Sequence, residues 1–272
     1  MSLDADFYKA VEPLFVPGMG TEHVGPLLYS MVRMIRPRTA LEVGLGYTSP
    51  FLARALKDNL EEDAADRKVL AEAAEDDQRR VVLRKEFFEL PYAPRLIAID
   101  NYSDNDTSAP RVLESLYGLG LDDLVDVHQV DFRGHAGKLD RALLPLDFVW
   151  FDAGGPLEYI DFLKEYWPLL NPEHGQLVLH FTYWNLTGMY QGREVSNMLC
   201  GSITNELKRQ QTSAGFDARF EVLSLLEPHK GRQGSVTLVR KLAPISMCRD
   251  SDFRDEMAEI YGATPPPMPV LR

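Results

Sequence analysis

Short apolar segments alternate with longer segments of mixed polarity along most of the chain. Five apolar segments are predicted to be strands: Thr39–Val43, Arg95–Ile99, Val125–Gln129, Phe148–Phe151 and Gln176–Phe181. Before and between them, apolar residues recur at helical spacing. The predicted helices are Glu22–Arg36 and, approximately, residues 50–60, 108–118, 134–143 and 158–167. This alternation is typical of a parallel sheet with helices on both faces.

The last part of the chain follows a different pattern. A long helix is predicted near residues 193–213, followed by two strands, Phe220–Leu226 and Ser235–Arg240. Strands joined by so short a turn must be antiparallel. We therefore predict an α/β fold with a doubly wound, mostly parallel seven-stranded sheet and a C-terminal antiparallel hairpin, in a single domain over residues 1–272.

One connection is longer than this fold requires. Gly46 and Asp100 are 54 positions apart, where a turn and one helix need roughly 20 residues. The extra segment, a helical insertion at about residues 57–94, is strongly charged and could be a solvated surface hairpin. Alternatively it could form a lid or a dimer contact, with aromatic residues such as Phe87 and Phe88 on its apolar side.

The composition excludes several classes of protein. The 272 residues are 45% hydrophobic and carry a formal net charge of −12. We expect no nucleic-acid partner, because bulk binding to nucleic acid needs a basic surface. The two cysteines, Cys200 and Cys248, have neither metal-ligand nor disulfide spacing. No signal peptide and no bilayer-length apolar segment is found, so we expect a cytoplasmic protein with no membrane partner.

The most informative motif lies where the first strand ends. Gly44-Leu45-Gly46 leads into a predicted helix start, with Ser49 as N-cap and Pro50 as the first helical residue. Glycines let a ligand approach the backbone closely, and a helix start favours a negative group. Glu42, at the strand end, can accept hydrogen bonds from a hydroxyl or ammonium group.

This glycine turn has two other interpretations. It could be a plain strand-to-helix turn without a ligand. A nicotinamide-dinucleotide site fits less well, because Ser49 occupies the position of that motif's third small residue. The motif also places an acid at a strand end about 20 residues later, where residues 59–63 predict a charged helix instead.

Acidic residues follow four consecutive predicted strands. They are Glu42, Asp100, Asp131 and Asp152. Any one of them could simply cap a turn. Because ligands of open parallel sheets bind at the carboxyl ends of the strands, the four together predict a polar pocket for one multifunctional ligand.

These motifs resemble those of class I S-adenosylmethionine-dependent methyltransferases. The resemblance covers roughly residues 20–241 and rests on Glu42–Thr48, Ile99-Asp100, Val130-Asp131-Phe132 and residues 148–153. Within the class, the chain is most similar to the catechol O-methyltransferase group. The resemblance implies a Rossmann-like methyltransferase fold, S-adenosyl-L-methionine as cofactor, methyl transfer to a small hydroxyl- or amine-bearing metabolite, and compatibility with a homodimer.

The resemblance also implies a set of cofactor-binding residues at or after the predicted strand ends. They are Glu42, Gly44, Gly46, Thr48, Ser49, Asp100, Asn101, Asp131, Phe132 and Asp152. Those after the first strand would contact the methionine portion, with Glu42 near its amino group. Those after the second strand would hold the ribose, and those after the third would contact the adenine. Asp152 would lie beside the transferred methyl group.

The chain departs from the metal-dependent members of the catechol group. These have a metal-binding Asp after the fourth strand and an Asp-Asn pair after the fifth. Asp152 matches the former, but Leu179-His180-Phe181-Thr182 stands in place of the pair. A Mg²⁺ site needs several hard oxygen ligands, so we expect a metal-independent enzyme whose substrate is not catechol.

Asp152, His180 and Tyr183 are the predicted catalytic residues. His180 is a candidate base because the unperturbed pKa of histidine lies near neutrality, although a histidine at a strand end is often structural. Asp152 could position the acceptor. Tyr183 belongs to an aromatic loop, residues 181–192, whose rings could contact a sulfonium or cover the core. In this family the segment beginning near His23 helps to close the pocket.

Two other functions stay open at this point. The chain could be an S-adenosylmethionine cyclase or lyase that releases methylthioadenosine, of the azetidine-2-carboxylate synthase type. The aromatic loop and the missing Asp-Asn pair would suit a pocket for the cofactor alone. A non-catalytic cofactor-binding protein is the third candidate.

Overall fold

The computed structural model describes residues 3–103, 107–153, 156–180, 182, 188–190, 193–195, 201–214, 218–227, 229–230, 235–243 and 262. In chain order, the strands are β1 (Thr39–Val43), β2 (Arg95–Ile99), β3 (Val125–His128), β4 (Phe148–Phe151), β5 (Gln176–His180), β6 (Gly188–Tyr190), β7 (Arg193–Val195), β8 (Phe220–Leu226) and β9 (Ser235–Lys241). The α-helices are α1 (Ala5–Val11), α2 (Val24–Ile35), α3 (Ser49–Glu72), α4 (Gln78–Val81), α5 (Ala109–Gly118), α6 (Pro156–Tyr166) and α7 (Gly201–Ala214).

Seven strands form one mixed sheet in the order β3-β2-β1-β4-β5-β9-β8. The first five in this order are parallel, whereas β9 is antiparallel to both β5 and β8. The predicted fold class, with its C-terminal hairpin, is confirmed. Strands β2, β1 and β4 are neighbours in the sheet, so their carboxyl ends lie side by side. The glycine turn begins at the carboxyl end of β1.

Helices cover both faces of this sheet. Side chains of β1 alternate between the faces, so that Ala40 packs in one apolar cluster and Leu41 in the other. The Ala40 cluster includes residues of α2, α3 and α5, and the Leu41 cluster includes residues of α6 and α7. Within the part of the chain that the structure describes, no helix combines the length and the apolar character that a membrane span requires.

Two predicted helices are wrong in part. Residues 134–143 form two separate 3₁₀ turns, Ala136–Lys138 and Arg141–Leu143, instead of a helix. Gly134 has a positive φ of 70°, and glycine weakens a helix. The helix predicted from residue 193 begins at Gly201, because Arg193–Val195 pairs with β6 in a small antiparallel hairpin.

The insertion lies near the amino ends of the parallel strands, whereas the glycine turn lies at their carboxyl ends. α3 continues for 24 residues, about 36 Å, and so extends well beyond a five-residue strand of about 17 Å. The returning segment packs at the start of β1, where the Tyr92 hydroxyl donates to the Pro37 carbonyl (3.0 Å) and Arg38 Nη1 donates to the Pro91 carbonyl (2.6 Å). These contacts hold the returning segment away from the glycine turn; the lid and the dimer contact both stay predictions.

Candidate functional site

The two glycines of the turn are there for different physical reasons. Gly44 has a φ of 96°, and a Cβ there would lie only 2.5 Å from the Asp152 carbonyl oxygen. The close passage of the chain past the end of β4 therefore requires glycine at this position. A Cβ on Gly46 would meet no atom within 4 Å. The packing of the protein alone does not require Gly46, whereas a ligand lying against the backbone would.

The helix after the turn begins one residue earlier than predicted. Thr48, not Ser49, occupies the N-cap position, and Pro50 lies in the first turn of α3. The Thr48 hydroxyl donates to Glu42 Oε1 (2.9 Å) and accepts from Trp150 Nε1 (3.1 Å). The Ser49 hydroxyl accepts from the Gly46 amide (3.0 Å). Both hydroxyls thus hold the turn together, and their predicted contact with a ligand carboxylate stays a prediction.

Glu42 is a fully buried carboxyl group with an incomplete set of partners. Its exposure is 0%, and its Oε2 has no hydrogen-bond partner. Burial raises the pKa of Glu42 to about 8; hydrogen bonds from Ser49 and Thr48 oppose this shift, while Asp152 and Asp100 add to it. A buried acceptor without a donor is costly. A ligand ammonium placed beside Oε2 would supply both the missing donor and the countercharge.

The Asp100 carboxylate connects the end of β2 to the glycine turn. Its Oδ2 accepts from the Leu45 amide (2.8 Å) and its Oδ1 from the Tyr102 amide (2.7 Å). Each carboxylate oxygen can accept a further hydrogen bond, so ligand hydroxyls could still bind there. Asn101 is exposed, and its Oδ1 accepts from the Ser103 amide (2.9 Å).

The residues after β3 are engaged by the protein itself. Asp131 is exposed and accepts from the Arg133 amide (2.9 Å), Nε (3.1 Å) and Nη2 (3.0 Å). Hydrogen bonding to the Arg133 side chain lowers the pKa of Asp131. The Phe132 ring packs against Phe151 and Phe162, at centroid distances of 5.4 Å and 5.9 Å, and only 6% of the residue is exposed. An adenine contact by either residue stays a prediction.

Asp152 and His180 form a pair across neighbouring strand ends. His180 Nδ1 and Asp152 Oδ1 are 2.7 Å apart, and the tautomer decides which group donates. The His180 side chain is 3% exposed, whereas that of Asp152 is 31% exposed. The Tyr159 hydroxyl donates to the His180 carbonyl and fixes the end of β5. Tyr183, the third predicted catalytic residue, lies outside the described residues.

Sequence reasoning missed two parts of this site. Trp150 is the register partner of Glu42 on β4, and its indole supports Thr48; that pairing follows only from the strand order. A cavity of about 540 Å³ lies between the N-terminal segment and the glycine turn, and Tyr8, Phe15 and Tyr47 are among its lining residues. The sequence feature that could have predicted the N-terminal helix is Asp4, an N-cap residue. Its side chain caps α1 by accepting a hydrogen bond from the Phe7 amide.

Several solved structures are similar to this chain. An O-methyltransferase from Streptomyces achromogenes involved in tomaymycin synthesis, TomG, solved with SAM, is 19% identical, with a TM-score of 0.55, and the match covers 89% of this chain and 91% of that one. An O-methyltransferase from Bacillus cereus in complex with SAH is 15% identical, with a TM-score of 0.55 and coverages of 89% and 93%. The SAH-bound Podospora anserina methyltransferase PaMTH1 is 15% identical, with a TM-score of 0.55 and coverages of 89% and 90%.

These similarities establish the fold. No protein-family model matches the sequence, and no curated protein matches it either. The architecture expected from the resemblance, that of Rossmann-like class I methyltransferases, is confirmed by the structures that share it.

Proposed function

We propose that the chain binds S-adenosyl-L-methionine at the carboxyl edge of its sheet and transfers the methyl group to a small hydroxyl- or amine-bearing metabolite. The carrying observation is the Glu42 carboxyl group, which is fully buried and has one oxygen without a partner. Buried polar groups are normally hydrogen-bonded, so an unsatisfied one beside an open glycine indicates a ligand. Similar structures solved with SAM or SAH support the choice of ligand.

The residues of the turn fit the chemical groups of this cofactor. Glu42 would bind the methionine ammonium, and the backbone at Gly46 would lie against the methionine portion. Amide groups at the start of α3 would face the carboxylate. Asp100 would hold the ribose hydroxyls, and the residues after β3 would meet the adenine. When bound, the cofactor supplies a methyl group activated by a positively charged sulfur.

The Asp152–His180 pair is suited to binding and deprotonating an acceptor. Asp152 is the more exposed partner, so its carboxylate would receive the acceptor's hydrogen bond or proton. His180, behind it, would hold that carboxylate through Nδ1. His180 is thus a positioning residue in this proposal. The pair stands where the catechol group has its metal ligands, which supports a metal-independent reaction.

The cavity beside Tyr47 would hold the part of the acceptor remote from the methylated group, since neither Asp152 nor His180 lines it. Its volume of about 540 Å³ falls within the range of small-molecule sites. Aromatic side chains line it together with Lys9, Glu12 and Glu22, a mixture that suits a small hydroxylated or amino compound.

The test is mass spectrometry of the full-length protein incubated with S-adenosylmethionine, first alone and then with a metabolite mixture. We expect intact bound cofactor in the first incubation and adenosylhomocysteine only in the second. Methylthioadenosine formed with the cofactor alone would overturn methyl transfer and favour a cyclase or lyase. Glu42→Gln is the matched control, because it keeps the shape of the side chain but should not retain the cofactor. Equal binding by both proteins would refute the site.

A further inference from the structure

Three side chains that could bind a metal meet at the surface where the start of α2 contacts the turn after β8. They are His23, Glu227 and His229, and one ligand atom from each lies within 4.8 Å of the others. Both histidines are exposed and the glutamate is half-buried. We propose that this cluster, the rim triad, binds a divalent transition-metal ion of the zinc class.

The donor set of the rim triad determines the class of metal. Two imidazole nitrogens and one carboxylate oxygen are typical zinc ligands, whereas Mg²⁺ and Ca²⁺ prefer oxygen ligands alone. Ligands about 2.0–2.2 Å from a tetrahedral zinc lie roughly 3.3–3.6 Å from one another. The hydrogen bond between His23 Nδ1 and Glu227 Oε1 must open to admit the ion. With its side chain 67% exposed, His23 has room to rotate. The fourth coordination position would hold water.

The charges around the rim triad favour a cation. Lys230 Nζ lies 2.8 Å from Glu227 Oε2 and 2.6 Å from Glu22 Oε1, which leaves Glu227 Oε1 directed at His23. Two carboxylates and one ammonium give the groups around the two imidazoles a net charge of −1 before an ion binds.

The rim triad is separate from the strand-end position that binds metal in the catechol group. Leu226 pairs with Ser235, and the next residue, Val236, pairs with His180. The triad therefore lies on the same edge of the sheet as His180, about two strand spacings or roughly 10 Å along it. A bound ion would join the start of α2 to the β8–β9 hairpin at the margin of the proposed active site.

The experiment is a Zn²⁺ titration of the full-length, tag-free, EDTA-treated protein in competition with a chromophoric chelator. We expect one tightly bound ion per chain, and a loss of affinity of at least about tenfold in His229→Ala and in His23→Ala. Co²⁺ substitution should give the visible absorption of a tetrahedral site in the unmodified protein only. Zn²⁺ should also raise the melting temperature of the unmodified protein but not that of His229→Ala.

Two control variants address other possible sites. His135→Ala disrupts the other described pair of imidazoles, His128 and His135, which are 2.7 Å apart. Asp152→Asn removes the strand-end carboxylate. Both should bind Zn²⁺ as the unmodified protein does. Unchanged binding in His229→Ala, or its loss in either control, would overturn the proposal. Neither result depends on methyl transfer, so the proposed function is tested separately.

Discussion

Two buried carboxyl groups at opposite edges of the sheet show how a structural acid differs from a functional one. Asp147, just before β4, is 7% exposed, and Glu42, near the end of β1, is 0% exposed. The Asp147 carboxylate has four partners: the Arg38 amide (2.8 Å), the Thr39 amide (3.4 Å), Asn171 Nδ2 (2.8 Å) and His174 Nε2 (3.4 Å). Glu42 has an oxygen with none.

The pKa shifts of the two groups are opposite in sign. Burial alone would raise the pKa of Asp147, but hydrogen bonds from His174, Asn171 and the Arg38 amide lower it overall. Burial raises the pKa of Glu42 to about 8, because too few donors oppose it. Burial by itself therefore does not identify a binding site. An unpartnered oxygen supports such an assignment when, as in Glu42, it belongs to a strand-end carboxyl group next to the glycine turn, where a bound ligand could offset the cost of burial.

Removal of Asp147 should have the largest effect on stability. Asp147→Ala leaves buried amide donors without an acceptor, so we expect the free energy of unfolding to fall by about 3–5 kcal/mol. Asp147→Asn keeps one acceptor oxygen and should cost less. Denaturant unfolding measures both. Affinity for S-adenosylmethionine in the folded variants should stay within about twofold, since Asp147 lies at the far edge. A cost under about 1 kcal/mol for alanine would contradict the structural role.

Glu42→Gln should instead stabilise the unliganded protein at high pH. An unfolded glutamate titrates near 4.5, whereas burial raises the pKa of Glu42 to about 8 in the folded state. Between these values the folded state holds a proton that the unfolded state lacks. Stability therefore falls as pH rises, by at most about 1.4 kcal/mol per pH unit. We expect the variant to be more stable by about 2–4 kcal/mol at pH 8 and little changed near pH 5. Parallel pH profiles in urea unfolding would refute the shifted pKa.

The same substitution should weaken cofactor binding. Loss of the charged partner of a buried ammonium should cost about 2–3 kcal/mol, or roughly 30- to 150-fold in affinity. Because Glu42 holds a proton at pH 7 and must lose it to bind an ammonium, binding should release about one proton. Calorimetry in two buffers of different ionisation enthalpy measures this number. Glu42→Gln should release close to none, and equal release by the two proteins would exclude Glu42 as the group that ionises.

The sequence predicted the sheet well because each central strand is a short apolar run whose carboxyl end carries a distinctive residue. It also singled out Glu42 and Gly44, whose cofactor contacts stay predictions. It could not reveal that the Thr48 hydroxyl donates to Glu42 Oε1, because that depends on where the first turn of α3 begins.

Other features depend on contacts between distant parts of the chain. The pKa of Glu42 reflects Asp100 and Asp152, which only the strand order brings near it. His23 and Glu227, which belong to the rim triad, are 204 positions apart. No local pattern could have indicated either arrangement.

Substitution of Asp100 tests whether a carboxylate that already accepts two backbone hydrogen bonds also binds the ligand at the carboxyl ends of the strands. Asp100→Ala should weaken S-adenosylmethionine binding by about 1–3 kcal/mol, the cost of losing a hydrogen-bond partner. Because this carboxylate also accepts from the Leu45 and Tyr102 amides, the variant could instead distort the turn.

S-methylmethionine, which lacks the nucleoside, separates the two causes. If Asp100 holds the ribose, affinity for S-methylmethionine measured by NMR titration is unchanged while cofactor affinity falls. If both fall equally, the ribose assignment is wrong and Asp100 only shapes the turn. Ser103→Ala, at a nearby exposed position, is the control and should change neither affinity by more than about twofold.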